Sequence, residues 1–501
     1  VSAVAQAASR RGSWRRQSVA LACAGATLLS AMAWAVVTPP FHAPDEPSHF
    51  AYVQRLAETG RPPSPSELSR PGWSSAQAAA LRAVRFPSVR ANPRGKPPWT
   101  LLDQRRADLE LSRRLAQNDG GGADAASTYP PLYYSIESVG YLASDALGAN
   151  VIEQLTVLRL ISCLLTSLTT LFIFFFIREL LPGTPLAAPV GALSVGLLPY
   201  VGFIGSSVNN DVLMMTLSAA LFWLLARSWR RGLTAGAAVW IVAVLVAGWA
   251  TKPIFLGLVP GALLAIVFLL LRLRSSGGKS LTRPLAALII AGGVACGLYL
   301  ALSSGLWARS TQPPGSSDLV SGSASGQAQK SLTGFLSYLW QYWLPRLPFM
   351  TDQVAEPYPL WETMFKGFIG RFGWLEYQFP AWLYSVVLLC WVGLTALIAR
   401  ALVVGRAALR SRAGELLVYV TMTAGVAGLI SLVGYQLRTG GASFEQARYL
   451  FPLLALFGAL IGLAVRGAGQ QLAPYLGIAI VIGTGALDIG GLLMTLGRFY
   501  A

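Results

Sequence analysis

Asp45 and Glu46 stand side by side between Pro44 and Pro47, and His49 follows within one turn. Pro47 suits the first turn of a helix, and the residue before a proline is pushed out of the helical region. Glu46 is therefore expected as the N-cap of a helix that runs to Thr59 and stops at Gly60. Asp45 then lies just outside, on a stiff Pro-X-X-Pro corner. A carboxylate fixed there suits a general base, or a group that holds a hydroxyl or a metal. The plainer reading is that Glu46 only caps and Asp45 is solvated. His49 would pair with Asp45, help hold a divalent ion, or serve as a structural hydrogen-bonding group. With His42 the only other histidine, these side chains form no recognisable zinc pattern. A divalent metal stays open, and no other cofactor is expected.

Cations come next. Lys252 and Arg448 each fall at the end of an apolar stretch, at the depth of a lipid phosphate. An arginine grips phosphate through two parallel hydrogen bonds, whereas a lysine acts as a point charge. The alternative for both is a side chain snorkelling to the headgroups. Arg371, in Arg371-Phe372-Gly373-Trp374, is a third phosphate-binding candidate or else packs a Gly-Trp corner. Tyr129, Tyr133, Asn210, Asp211, Trp374, Gln446 and Tyr449 are expected around the same cavity. For Asn210 and Asp211 the alternative is capping the span they open. The Pro-fixed tyrosine corner from Tyr129 to Tyr134 is as much a wall as a binding element.

These residues need a membrane to bring them together. Of the 501 residues 54% are hydrophobic and 12% are charged, roughly half the charged share of soluble domains. Apolar stretches fall at about 19–37, 154–177, 186–205, 211–228, 233–251, 254–271, 284–306, 380–399, 415–435, 449–466 and 472–495. The expected fold class is an all-α polytopic membrane protein with about eleven transmembrane helices. The first stretch is long enough to span and lacks a convincing cleavage site, so a retained first helix with a cytoplasmic N-terminus is expected. Arg178, Arg227, Arg230, Arg231, Arg272, Arg274, Lys279, Arg283, Arg400, Arg406, Arg410, Arg412 and Arg466 then all trail even-numbered spans, as the positive-inside rule requires. The candidate chemistry falls on the opposite, extracytoplasmic side, where six loops far apart in sequence meet only if they roof one cavity. Ionisable groups at membrane depth are costly, and so are functional candidates.

The division expected is a basic N-terminus (1–18), a core (19–466) and a last transmembrane helix (467–501). Two long outside loops belong to the core. Loop 38–153 holds amphipathic helices at 47–59 and 104–116. Loop 307–379 opens on a mobile Gly/Ser-rich stretch, 315–326, and then turns aromatic, as suits the headgroup level. The net charge of +17 belongs with lipid headgroups, since no basic run is interleaved with stacking aromatics; nucleic acid is not an expected partner. Cys23, Cys163, Cys296 and Cys390 lie inside spans and read as small apolar residues.

The order of these motifs resembles a family of bacterial polytopic membrane proteins of unassigned function. It consists of Pro-Asp-Glu-Pro-x-His, Pro-Pro-Leu-Tyr-Tyr, Asn-Asp, Lys-Pro, Phe-Gly-Trp and Gln-x-Arg-Tyr-x-x-Pro over residues 35–460. That family is similar to the GT-C superfamily of polyprenyl-phosphate-sugar-dependent glycosyltransferases. The resemblance implies a GT-C-like core in the bacterial plasma membrane with its active site outside. It implies a polyprenyl-phosphate sugar as donor, a glycan, lipid or protein hydroxyl of the cell envelope as acceptor, and membrane lipids as surroundings. It maps the catalytic carboxylate onto Asp45 with Glu46 beside it, and the donor-phosphate cations onto Lys252 and Arg448. Tyr129 stands where the family pattern has a histidine. The rival readings are a transporter or flippase of a polar or lipid-linked solute, and a non-catalytic assembly protein.

Overall fold

The computed structural model describes residues 2–64, 67, 69–92, 99–275, 281–304, 332–351, 359–437 and 446–500. Thirteen helices lead the chain: α1 (Ser2–Val37), α2 (Glu46–Thr59), α3 (Ser75–Ala83), α4 (Phe86–Ala91), α5 (Leu101–Leu111), α6 (Leu132–Ala146), α7 (Val151–Leu180), α8 (Ala187–Gly196), α9 (Pro199–Gly205), α10 (Asp211–Arg231), α11 (Ala235–Trp249), α12 (Val259–Ser275) and α13 (Thr282–Ser304). A 3-10 turn, Pro253–Leu258, leads into α12. Beyond the second long loop come Ala381–Val404, Ala413–Leu437 and Leu454–Phe499, the last entered through a 3-10 turn at Ala447–Leu453.

Seven of the described helices are long and apolar enough to cross a membrane, or eight if α8 and α9, bent by 60°, form one span. Eleven separate spans are not seen among the described residues. At 15 residues α11 reaches only about 22 Å, short of a ~30 Å hydrocarbon core. The stretches at 449–466 and 472–495 are two helices that follow one another directly, parted by a kink at Gly469 with φ 80° and ψ 171°. The all-helical expectation is also corrected at one place. Arg371 pairs with Gln378 and Phe372 with Tyr377 in a two-residue antiparallel ladder, β1 and β2, closed through positive φ at Gly373 and Leu375.

The segment between α1 and α7 is more helical than its sequence suggests. Instead of a helix at 104–116, α5 starts at Leu101, because Thr100 and Asp103 form a reciprocal capping box there. At α2 the cap differs as well. Asp45, not Glu46, is the N-cap residue, in the left-handed region (φ 62°, ψ 2°) and without a side-chain cap bond. Glu46 is already the first helical residue, and its carboxylate is drawn away to an arginine of α7. In the second long loop, Tyr338 and Tyr342 are buried rather than at the surface, and Tyr338 packs on Tyr435. The Gly/Ser-rich stretch 315–326 and Glu445 lie outside the described residues.

The bundle closes through small residues and through arginines at one end. A Cβ on Gly425 would lie 2.2 Å from the carbonyl oxygen of Gly257, so these two spans touch backbone to backbone. Arg230 donates to the carbonyl of Glu179 at 2.6 Å, Arg231 pairs with the Glu179 carboxylate at 2.7 Å, and Arg412 donates to the carbonyl of Leu180 at 2.8 Å. Arg272 likewise bonds the carbonyl of Trp229 at 2.9 Å. These cations satisfy the last, otherwise unpaired carbonyls of α7 and α10. The residues expected to do chemistry gather at the opposite end of α10.

Candidate functional site

The site starts from Arg159, two turns into α7 and 4% exposed. Its Nε and Nη2 donate to the Glu46 carboxylate at 2.8 and 2.6 Å. Nη1 donates to the carbonyls of Ala35 and Thr38 at 2.9 and 2.7 Å, and Nη2 also to Pro39 at 3.0 Å. Glu46 Oε1 further accepts from the backbone N–H of Val208 at 3.2 Å. One guanidinium thus ties the end of α1, the start of α2 and the approach to α10 into a single corner, and that corner presents Asp45.

Three other charges meet Asp45 there. Asp211 opens α10, Lys252 precedes the 3-10 turn before α12, and Arg448 lies in the 3-10 turn before the last helix. Arg448 Nη2 is 2.5 Å from Asp45 Oδ2, Lys252 Nζ is 2.7 Å from Asp211 Oδ1, and Arg448 Nε is 3.7 Å from Asp211 Oδ2. The side chains of Arg448, Lys252 and Asp211 are 4%, 5% and 0% exposed, and that of Asp45 is 28% exposed. Asp45 is thus the quartet's contact with its surroundings. Lys252 Nζ lies between the rings of Tyr129 and Tyr449, at 5.3 and 5.5 Å, a desolvated cation between two π-faces. Asn209 fastens the parts: its Nδ2 donates to Pro44 O at 3.4 Å and its Oδ1 accepts from the Asp211 N–H at 3.0 Å. Asn210 Nδ2 reaches the carbonyl of Thr251 at 3.3 Å, beside Lys252.

Protonation follows from burial and from these partners. Burial alone would raise the Asp45 carboxyl, but the adjacent Arg448 guanidinium outweighs it and holds the group below its ordinary value. Burial pushes the His49 imidazole down to about 3, against a partial rise from Asp45. His49 is therefore neutral at physiological pH. Its Nδ1 shares a 2.8 Å hydrogen bond with Tyr134 Oη, and its ring stacks on Tyr129 and Tyr134 at 6.0 and 5.8 Å. Burial also lowers Lys252, with Asp211 opposing. Behind this layer, Tyr133 Oη meets Ser162 Oγ at 3.0 Å and accepts from the Asn209 N–H at 2.9 Å, while Ser162 donates to Glu137 at 3.1 Å. Tyr133 braces the corner from within.

Two of the expected site residues lie elsewhere. Arg90 sits 3.9 Å over the ring of Trp374, which also faces Phe86. Arg371 is held in β1 opposite Gln378. Among the described residues, no hydrogen bond, ion pair or ring contact joins either of them to the quartet. Nor do these residues place three or more His, Cys, Asp or Glu side chains to hold a metal ion.

A family model described as a predicted membrane protein, DUF2142, matches residues 28–457. The chain belongs to the DUF2142 family. No curated protein and no solved structure matches it. In this DUF2142 chain the matched region begins within α1 and ends just past Arg448, so it takes in Arg159 and the whole quartet.

What the DUF2142 site can do is marked by atoms with nothing to bond. Buried Arg448 Nε and Nη1, Asp211 Oδ2, Asn210 Oδ1, Gln446 Oε1 and Tyr200 Oη have no hydrogen-bond partner among the described residues. Unmet buried polar atoms are costly and few in native proteins. Two of them belong to Arg448, and Asp211 Oδ2 faces its Nε at 3.7 Å; mixed donors and acceptors of this kind suit an oxyanion that also carries hydroxyls. Arg159 and Tyr200 were not singled out on sequence grounds. Arg159 alone carried a signal, as a charge inside an apolar span.

Proposed function

We propose that this protein is an integral-membrane glycosyltransferase of the GT-C type. It moves a sugar from a polyprenyl-phosphate donor to an acceptor hydroxyl of a cell-envelope glycan, lipid or protein at the outer face of the bacterial plasma membrane. The observation that carries this reading is Arg448, a buried guanidinium with unmet N–H donors beside Lys252, in contact with a carboxylate that is itself partly exposed. Support for the orientation comes from the arginines gathered at the other end of α7 and α10, which the positive-inside rule assigns to the cytoplasm.

In the proposed step the acceptor oxygen attacks C1 of the sugar as Asp45 takes its proton. The C1–O bond to phosphate breaks on the opposite face, so the configuration inverts and the electron pair stays on the phosphate oxygen. Arg448 and Lys252 meet the charge that grows there, an electrostatic effect that is larger away from water. A phosphate that engages Arg448 also loosens its hold on Asp45, which makes the carboxylate more basic as the donor arrives.

The bent pair α8 and α9 is the feature that favours a transporter or flippase, in which broken helices flank the bound solute. The four charges of the quartet themselves come from the ends of other elements and not from that break. Asp45→Asn keeps the shape of the side chain and removes its basicity. In proteoliposomes given polyprenyl-phosphate-sugar donors it is expected to abolish transfer, and full transfer by the variant would overturn the assignment.

A further inference from the structure

Leu198 precedes Pro199, so it is extended (φ −70°, ψ 123°), and the helical run of α8 stops there. Pro199 then opens α9 at a 60° bend. The close packing of α9 on α1 shows how firmly that bend is set: a Cβ on Gly202 would lie 2.6 Å from the Trp34 ring. The second residue of α9 is Tyr200.

Tyr200 is 1% exposed, and its hydroxyl has no partner among the described residues. Its ring meets the edge of Phe451, three residues past Arg448, with centroids 5.8 Å apart. Its hydroxyl lies within electrostatic reach of Arg448, Asp211, Tyr449 and Asp45, and Arg448 feels it in turn. Packing alone asks for a phenylalanine here, because a buried hydroxyl without a partner is destabilising. The Arg448 guanidinium carries an Nε and an Nη1 that are likewise without a hydrogen-bond partner among the described residues.

We propose that Tyr200 is a third anion-binding group of the quartet site, its hydroxyl donating a hydrogen bond to an oxygen of the phosphate that Arg448 and Lys252 face. The break between α8 and α9 is then the device that turns this hydroxyl toward the site. The inference rests on the anion-binding half of the proposed function and not on sugar transfer. The ligand chemistry is a phosphate oxyanion, carried by a lipid or free in solution.

The test titrates the full-length protein in detergent micelles with farnesyl phosphate and, separately, with inorganic phosphate, for wild type and Tyr200→Phe. Losing one hydrogen bond to a charged group predicts farnesyl phosphate binding weakened about tenfold or more. The unliganded variant should melt no lower than wild type, since only an unmet hydroxyl is removed. A matching loss with inorganic phosphate, in a protein that does not prefer the lipid probe, supports Tyr200 and identifies free phosphate as the ligand. Unchanged affinity in Tyr200→Phe overturns the inference while leaving the site's reading intact, and a lowered melting temperature with unchanged affinity assigns the hydroxyl to the fold and overturns it equally. If wild type binds neither probe, the anion-binding reading fails and this inference fails with it.

Discussion

Replacing Asp45 by Asn takes one negative charge from a quartet that is otherwise balanced. The Asp45 carboxylate is 2.5 Å from Arg448, whose side chain is 4% exposed. Breaking a buried pair by removing one partner costs about 3–5 kcal/mol. Here the lost partner is 28% exposed, and Arg448 keeps Asp211 at 3.7 Å. A destabilisation of about 2–3 kcal/mol is therefore expected, at or below the lower edge of that range. Binding should move the other way. At an effective dielectric near 20, a carboxylate about 7 Å from an incoming anion repels it by about 2 kcal/mol, which is roughly thirtyfold in affinity. Asp45→Asn is thus expected to melt earlier, bind a polyprenyl phosphate about thirtyfold more tightly and transfer no sugar. Thermal unfolding, titration in micelles and transfer in proteoliposomes read the three effects separately. Transfer at the wild-type rate would refute Asp45 as base. Weaker binding together with lost transfer would make Asp45 part of the ligand's grip, and would refute the reasoning about charge balance.

Other consequences can be read at separate places in the fold. Burial pushes Glu137 from 4.5 up to about 8, so the folded state holds its proton; the stability linked to it is fully present below pH 4.5 and lost as pH rises toward 8. Glu137→Gln should flatten the unfolding temperature across that window, and parallel profiles for the two proteins would refute the assignment. Arg159→Met leaves Glu46 buried and unpaired and should cost about 3–5 kcal/mol, much of it recovered in the Glu46→Met, Arg159→Met double variant. A double variant no more stable than the single one would show that the backbone contacts of Arg159 matter more than its charge. Gly425→Ala should destabilise by about 1–3 kcal/mol because its Cβ meets the Gly257 carbonyl, whereas Gly428→Ala, with nothing within 4 Å, serves as control. Equal unfolding temperatures for the two would exclude the backbone contact as a packing constraint.

Much of the frame was legible in the chain, because long apolar runs ended by arginine leave little choice of structure. The spans at Val151–Leu180, Asp211–Arg231 and Ala381–Val404 match their expected places closely. The meeting of Asp45, Asp211, Lys252 and Arg448 was also legible, since each breaks the apolar pattern at the same end of a span. What failed was local. Hydropathy gives no length threshold for α11 and no bend at Pro199. Propensity alone made Glu46 the cap, but a distant partner decided the matter: Arg159 takes the carboxylate and leaves Asp45 in the cap position. Trp374 and Arg371 were grouped with the site by their kind, whereas a cation–π contact with Arg90 and a two-residue ladder fix them elsewhere. Tyr200 gave no signal, because a tyrosine in an apolar run looks like any core aromatic.

The left-handed backbone at Asp45 makes that position intolerant in a particular way. With φ at 62° and ψ at 2°, most side chains would strain the main chain by about 1–2 kcal/mol, while Asp and Asn adopt this region readily. Asn is accordingly a clean probe of charge there, whereas Glu, nominally the conservative swap, would alter backbone, reach and direction together. The main chain sets the direction of the Cα–Cβ bond and the ion pair with Arg448 holds the carboxylate beyond it, so little conformational freedom is left to lose when a ligand arrives.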